Sequence, residues 1–104
     1  MSSEKVFETI VQIVNNIHNG SPETEIFIQT ILPTTTENLK EKILLTNDML
    51  INSENSEPYE IISLHNLFTT DSGLMNMELS TDGVHLNENG YAVWVDNITN
   101  LIHN

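Results

Sequence analysis

An aspartate and a histidine three positions apart, Asp82 and His85, are the residues of this chain best suited to do chemistry. The Asp-Gly pair at residues 82–83 is typical of a turn, and a segment with an apolar face follows it. An imidazole held beside a carboxylate can act as a general base, because the carboxylate fixes its tautomer and stabilises the imidazolium. Asp82 and His85 are therefore the predicted catalytic residues.

Such a pair needs a nucleophile, and the sequence offers no convincing one. Cysteine is absent, which excludes a thiol nucleophile, a disulfide framework and a zinc–cysteine site. The serines lie outside any Gly-x-Ser-x-Gly context. They are Ser2, Ser3, Ser21, Ser53, Ser56, Ser63, Ser72 and Ser80.

The stretch from Asp82 to Trp94 resembles the last conserved block of the SGNH (GDSL-like) ester hydrolases. It reads Asp-x-x-His-Leu-Asn-x-x-Gly-Tyr, with the tryptophan shortly after. In that family a Ser-His-Asp triad takes its histidine and aspartate from this block. Residues 21–33 and 59–68 are similar to two family strands, in the right order. The resemblance implies that His85 is a general base, that Asp82 orients it, and that the substrate is an acetyl or short acyl ester.

The family's Gly-Asp-Ser nucleophile block and its oxyanion-hole residues have no counterpart in this sequence. The run Thr46-Asn47-Asp48 superficially resembles the family's Gly-x-Asn-Asp block, but Leu45 stands where glycine is expected. We predict that this run lies inside a helix. Residues 1–104 are therefore interpreted as the C-terminal portion of a single SGNH-type domain, and the isolated chain is expected to be inactive.

The hydrophobic pattern predicts an α/β fold with a parallel strand pair and flanking helices. The resemblance implies that this is a three-layer flavodoxin-like SGNH fold, truncated to that strand pair. Apolar residues recur at helical spacing in three segments, and two short β-branched runs are typical of buried parallel strands. The predicted helices span residues 4–19, 37–51 and 88–103, the strands span 25–32 and 59–64, and an irregular connection spans 65–81.

Two parallel strands leave an edge that a wider sheet would cover. We therefore expect the isolated chain to self-associate or aggregate through the strand at 25–32, unless an N-terminal segment pairs with it. A monodisperse monomer in sedimentation experiments would refute this expectation.

The charge is lopsided: Lys and Arg together number 3, against 15 acidic residues, for a formal net charge of −12. Such a surface repels phosphate backbones and anionic lipids, so neither nucleic acid nor a membrane is an expected partner. The sequence contains no recognisable signal peptide and no transmembrane run, so a cytoplasmic location is the default expectation.

Plainer interpretations stay open. Asp82 can simply stabilise a turn, and His85 can be an ordinary loop histidine. The chain can then be a non-catalytic interaction module or a small acidic binding protein. We predict that Tyr91 and Trp94 are packing residues, and that Gly90 is a helix N-terminal residue with no further role.

No cofactor or metal is expected. A zinc site needs three or four converging ligands, and only Asp82 and His85 have a suitable spacing. The remaining histidines are His18, His65 and His103, of which His65 is predicted to lie in a loop near the mouth of the site.

Overall fold

The described part of the chain folds into three α-helices and a parallel pair of strands. The computed structural model describes the backbone of residues 2–102 and the side chains of residues 2–99. The elements are α1 (Ser3–Gly20), β1 (Phe27–Gln29), α2 (Glu37–Asn52), β2 (Glu60–Ile62), a 3-10 helix (His65–Phe68) and α3 (Glu88–Ile102). This order confirms the predicted α/β class and the truncated sheet. Residue 103 of the predicted last helix lies outside the described residues.

Helix α1 begins and ends where the sequence predicts. Ser2 caps it, because its hydroxyl accepts a hydrogen bond from the backbone N–H of Lys5 at 3.1 Å. The helix ends with a backbone bond from Ser21 to Ile17 at 2.8 Å. Val14 is buried, whereas Ile13 on the same helix is exposed. The apolar face of α1 is therefore only partly covered by the described residues.

The two strands are parallel, with Ile28 paired to Ile61. Both are shorter than the predicted 25–32 and 59–64, because side chains take over the backbone hydrogen bonds at their ends. The Thr30 hydroxyl accepts bonds from the N–H groups of Leu64 and His65, each at 3.0 Å. The prediction that the first strand is buried was also wrong: its three residues are only half-buried, since β2 is the only strand that the described residues pair with it.

The core lies between the strand pair and helix α3. Ile62, Leu64, Phe68 and Met75 form its buried centre, and partly buried residues of β1 and α3 pack against it. The indole Nε1 of Trp94 donates a hydrogen bond to Gln29 Oε1 at 2.7 Å, which ties α3 to β1. Trp94 is thus a packing residue, as predicted.

Helix α2 carries an apolar face that is largely open. Leu50 is buried, but Leu39, Leu44 and Ile51 are exposed. Thr36 occupies the N-cap position without a side-chain cap bond. Among the described residues, no helix is long and apolar enough to cross a membrane.

Candidate functional site

The turn that carries Asp82 and His85 is a tight hairpin-like loop ahead of α3. Ser80 and Leu86 form an isolated antiparallel bridge across it. The N–H of Thr81 donates to His85 O, and the N–H of Asn87 donates to Leu79 O, both at 3.0 Å. These bonds hold the four residues from Thr81 to Val84 in a closed turn.

Asp82 makes two kinds of bond inside this turn. Its Oδ1 accepts hydrogen bonds from the N–H groups of Val84 at 2.9 Å and His85 at 2.8 Å. Its Oδ2 lies 2.8 Å from His85 Nδ1. The two bonds to Oδ1 stabilise the turn, which is the role that the sequence left open. The contact of Oδ2 with Nδ1 forms the imidazole–carboxylate pair. One carboxylate fills both roles, one with each oxygen.

These bonds favour the ionised form of Asp82 and fix the tautomer of neutral His85. The backbone N–H of His85, the His85 side chain and the N–H of Val84 hold the pKa of Asp82 well below its ordinary value of 3.8. An ionised carboxylate accepts only, so neutral His85 carries its proton on Nδ1. Its Nε2 then has a free lone pair, which is the atom that a general base uses.

The depressed pKa of Asp82 predicts a pH dependence of stability. The folded chain favours the ionised form of Asp82, so this residue stabilises the fold at pH values above its ordinary pKa of 3.8. The stabilisation is lost as the pH falls toward the lower pKa of the folded state. In urea unfolding, the stability difference between wild type and Asp82→Asn is therefore expected to shrink on acidification. Asp71→Asn, at an exposed aspartate of another turn, is the control for losing one charge. A difference that grows with acidification would contradict the assignment.

The pair is open to solvent. The side chains of His85 and Asp82 are 76% and 54% exposed. Three surface cavities of the described residues, with volumes of about 290, 370 and 160 Å³, are lined by neither residue. The nearby Ser80 hydroxyl donates to His85 O at 2.7 Å and accepts from Gly83 N at 2.8 Å. Ser80 is thus used by the turn and is not aimed at the imidazole.

The turn is anchored to the carboxyl end of the strand pair. The N–H of Thr35, in the segment that leaves β1, donates to Gly83 O at 3.1 Å. Gly83 is buried and has φ +89°, and a Cβ there would overlap the Thr35 hydroxyl. Ligands of open α/β sheets bind outside the carboxyl ends of the strands. Asp82 and His85 therefore lie at the end of the sheet where ligands of such folds bind.

Gly83 therefore fixes where the pair sits. Gly83→Ala is expected to destabilise the fold by about 2–3 kcal/mol, since it adds a steric overlap to the cost of a positive φ. Gly73→Ala is the matched control: Gly73 has φ +82°, but its Cβ would meet only the flexible end of the Lys40 side chain. Its cost should be about 1–2 kcal/mol, the backbone term alone. Equal losses of unfolding free energy in the two variants would show that the close contact between Gly83 and Thr35 does not contribute.

His65 is not the loop histidine that the sequence suggested. It starts the 3-10 helix and is buried. Its Nδ1 lies 2.9 Å from the carbonyl oxygen of Ile31, to which it must donate. The Asn47 amide also donates to that oxygen, at 2.9 Å, so the 3.4 Å approach between the Asn47 and His65 nitrogens joins two donors and is not a bond. His65 is a structural residue beneath the carboxyl end of β1.

Residues 46–48 lie inside α2, as predicted, yet Asn47 has a structural role that the sequence analysis missed. Its Oδ1 accepts from Ile31 N at 2.7 Å, so one amide satisfies both backbone groups of Ile31. The signal in the sequence was its position on the apolar face of the predicted helix, four residues after Ile43 and three before Leu50.

The start of α3 corrects two further predictions. Gly90 does have a role: a Cβ there would overlap the carbonyl oxygen of Leu79. Tyr91 is not a packing residue, since it is 56% exposed. Asn87 caps the helix, because its Oδ1 accepts from Gly90 N at 2.9 Å while its amide donates to Glu78 O at 3.0 Å.

Searches of protein-family models and of curated proteins find no match to this chain. Solved structures do match its fold. A GDSL-like lipase from Bacteroides thetaiotaomicron superposes with a TM-score of 0.88 at 14% identity, over 99% of this chain and 53% of the lipase. A provisionally assigned acylhydrolase from Bacteroides fragilis gives 0.90 at 20% identity, over 99% and 52%. The esterase domain of the ZfL2-1 ORF1 protein from a zebrafish retrotransposon gives 0.81 at 23% identity, over 100% and 65%.

The chain therefore has the α/β fold of GDSL-like hydrolase structures. It spans about half to two thirds of the length of the structures it matches.

Proposed function

We propose that this chain supplies the histidine base and the aspartate of a Ser-His-Asp triad in a serine ester hydrolase. The serine nucleophile and the oxyanion-hole donors would come from a segment outside these 104 residues. The observation that carries the proposal is the 2.8 Å contact between Asp82 Oδ2 and His85 Nδ1. It occurs at the carboxyl end of a parallel strand pair, in a fold shared with GDSL-like hydrolases.

The proposal gives each atom of the pair a role. His85 Nε2 takes the proton from a serine hydroxyl as the serine oxygen attacks the ester carbonyl carbon. Asp82 keeps the imidazole oriented and stabilises the imidazolium. His85 then returns the proton to the leaving alkoxide oxygen, which yields an acyl-enzyme and a free alcohol. Water then attacks the acyl carbonyl carbon while His85 takes its proton. His85 returns that proton to the serine oxygen as the carboxylic acid leaves.

The exposure of His85 fits a half-built site. A general base works best where water is excluded, and 76% of this side chain is open in the isolated chain. The segment with the nucleophile would have to cover it. The substrate proposed for the completed site is a small acetyl or short acyl ester.

The isolated chain is expected to be inactive. Loss of a triad nucleophile costs on the order of 10⁶ in kcat. Hydrolysis of p-nitrophenyl acetate by the purified chain should therefore match that of His85→Ala and show no saturation. Saturable turnover that depends on His85 would mean that a nucleophile is present in the chain.

The direct test is a chimaera. In the chimaera, this chain replaces the matched part of the zebrafish ZfL2-1 ORF1 esterase domain. The matched part is 65% of that domain. The expected result is ester hydrolysis by the chimaera and none by either part alone. A folded chimaera without activity, with a melting transition like that of the parent domain, would contradict the proposal.

A second candidate is a non-catalytic interaction module. The exposure of both side chains favours it, because an aspartate-stabilised turn with a solvated histidine has this geometry without any chemistry. The two candidates differ in the chimaera: with a non-catalytic turn the folded chimaera does not hydrolyse the ester, whereas with a catalytic turn it does, and the hydrolysis depends on His85.

A further inference from the structure

A cavity of about 290 Å³ lies at the amino end of the strand pair. Its walls come from the last turn of α1, the segment that leads into β1 and the segment that leads into β2. The turn with Asp82 and His85 is anchored at the other end of the strands, through the backbone bond between Thr35 and Gly83. The cavity, which we call the amino-end cavity, is therefore separate from the proposed catalytic site.

Hydrogen bonds fix the walls of the amino-end cavity. Tyr59 is buried, and its hydroxyl makes a hydrogen bond at the C-terminal end of α2. Glu60 N donates to Ile26 O at 2.9 Å, which joins the two strands beside the cavity. On the α1 side, the hydroxyls of Ser21 and Thr24 share a hydrogen bond at 2.6 Å. The cavity is thus formed before any ligand binds.

The lining combines apolar rings with two carboxylates. Phe27 is paired with Glu60 in the register of the strands, so both side chains lie on the same face of the sheet. Glu25, two residues before Phe27, supplies the second carboxylate. Further apolar wall residues are Pro22, Ile26, Pro58 and Tyr59. Aromatic rings beside carboxylates suit a ligand that has an apolar body and a positive charge.

The described part of the chain supplies no cation to these carboxylates. The contact between His85 and Asp82 is the one ion pair among the described side chains. None of the three lysines lines the amino-end cavity, and the net charge of the chain is −12. The electrostatic potential of the chain therefore favours a cationic ligand over an anionic one.

Helix α1 adds to the negative potential. Its last turn contributes His18 to the wall of the amino-end cavity. The carboxyl end of a helix carries a partial negative charge, which stabilises a cation placed there. A neutral imidazole can also accept a hydrogen bond from an ammonium group.

We propose that the amino-end cavity binds a small primary amine with an apolar body. The ammonium group binds Glu25 and Glu60, to which its N–H groups donate charge-assisted hydrogen bonds. The apolar body packs on Phe27 and Tyr59. A volume of about 290 Å³ limits the ligand to roughly the size of a single ring with a short chain. The proposal is independent of the proposed function, since Asp82 and His85 take no part in it.

The test is a titration of the purified chain with phenethylamine, followed by the amide resonances in NMR spectra. It is run in low salt at about pH 8, where histidine side chains are ordinarily neutral. The amides of Phe27 and Glu60 are expected to shift, with a Kd on the order of 1 mM. The amide of Asn87, beside the proposed catalytic turn, should not shift. Phenethyl alcohol has the same shape without the charge and should bind at least about tenfold more weakly.

Variants locate the charge that binds the amine. Replacing both carboxylates, in Glu25→Gln with Glu60→Gln, should weaken phenethylamine binding at least about tenfold. The matched control is Glu41→Gln with Asp48→Asn, which removes two charges from exposed positions of α2 outside the cavity. It should leave the Kd within about twofold.

Three results would overturn the proposal: no shift at Phe27 and Glu60, equal binding of the amine and the alcohol, or wild-type affinity in a folded double variant without the two carboxylates. A lysine side chain of another protein has the same chemistry as a free amine, so Nα-acetyl-lysinamide is titrated in parallel. Tighter binding of this compound than of phenethylamine would support the amine site and assign it to a lysine of a partner protein. Weaker binding would support the site as one for a free amine.

Discussion

Replacing His85 by alanine in the chimaera with the zebrafish esterase segment is expected to lower kcat by about 10⁴- to 10⁶-fold. The reason is that a serine hydroxyl is a weak nucleophile until a base removes its proton, and the free Nε2 of His85 is the proposed base. The contact between His85 Nδ1 and Asp82 Oδ2, at 2.8 Å, sets this tautomer. Steady-state hydrolysis of p-nitrophenyl acetate measures the effect.

The chain offers controls for this prediction. His18→Ala removes an imidazole from α1 and should leave kcat within about twofold, since the site does not include it. Asp82→Asn should lower kcat by about 10⁴-fold, because an amide donor favours the wrong imidazole tautomer. A loss of less than about tenfold for His85→Ala would place the base elsewhere.

Replacing Gly90 by alanine is expected to cost about 3 kcal/mol of unfolding free energy or more. A Cβ at this position would overlap the Leu79 carbonyl oxygen and press on the Leu86 side chain. The Leu79 oxygen also accepts the N–H of Asn87 at 3.0 Å, so the overlap cannot be relieved without opening the loop that carries Asp82 and His85.

The measurement is urea unfolding followed by the fluorescence of Trp94, the single tryptophan, which reports the docking of α3. Gly20→Ala is the matched control, because nothing lies within 4 Å of a Cβ there. That substitution should be neutral or stabilise α1 by up to about 1 kcal/mol. Equal stability of the two variants would show that α3 does not dock as described.

The order of the elements was predictable because each helix and strand carries its own hydrophobic period. Val14 and the Ser2 cap are local features of α1, and sequence suffices for both. The strand lengths were not predictable. Apolar residues continue through Ile31 and Leu32, but Asn47 and Thr30 take the backbone bonds that a strand would have used. These hydrogen bonds join residues that are far apart in the sequence, so no local pattern predicts them.

The candidate site divides in the same way. Asp82 and His85 are three residues apart in one turn, so their contact is local and their spacing predicts it. The packing of Gly83 on Thr35 joins residues 48 positions apart, and no local pattern indicates it. The burial of His65 depends on a carbonyl group 34 residues earlier in the chain. A histidine after a strand has the same sequence whether it points into the fold or out of it.

Several apolar residues of α1 and α2 are exposed. Ile13, Leu39 and Leu44 face solvent in a chain that spans about half the length of its structural neighbours.

The measurement closest to the central idea is the tautomer of His85, read from long-range ¹H–¹⁵N correlations of the imidazole at a pH where the ring is neutral. The pairing with Asp82 predicts a proton on Nδ1 and a bare Nε2 in the wild-type chain, and a changed tautomer balance in Asp82→Asn. A proton on Nε2, or identical spectra for the two proteins, would mean that the carboxylate does not orient the imidazole as a base.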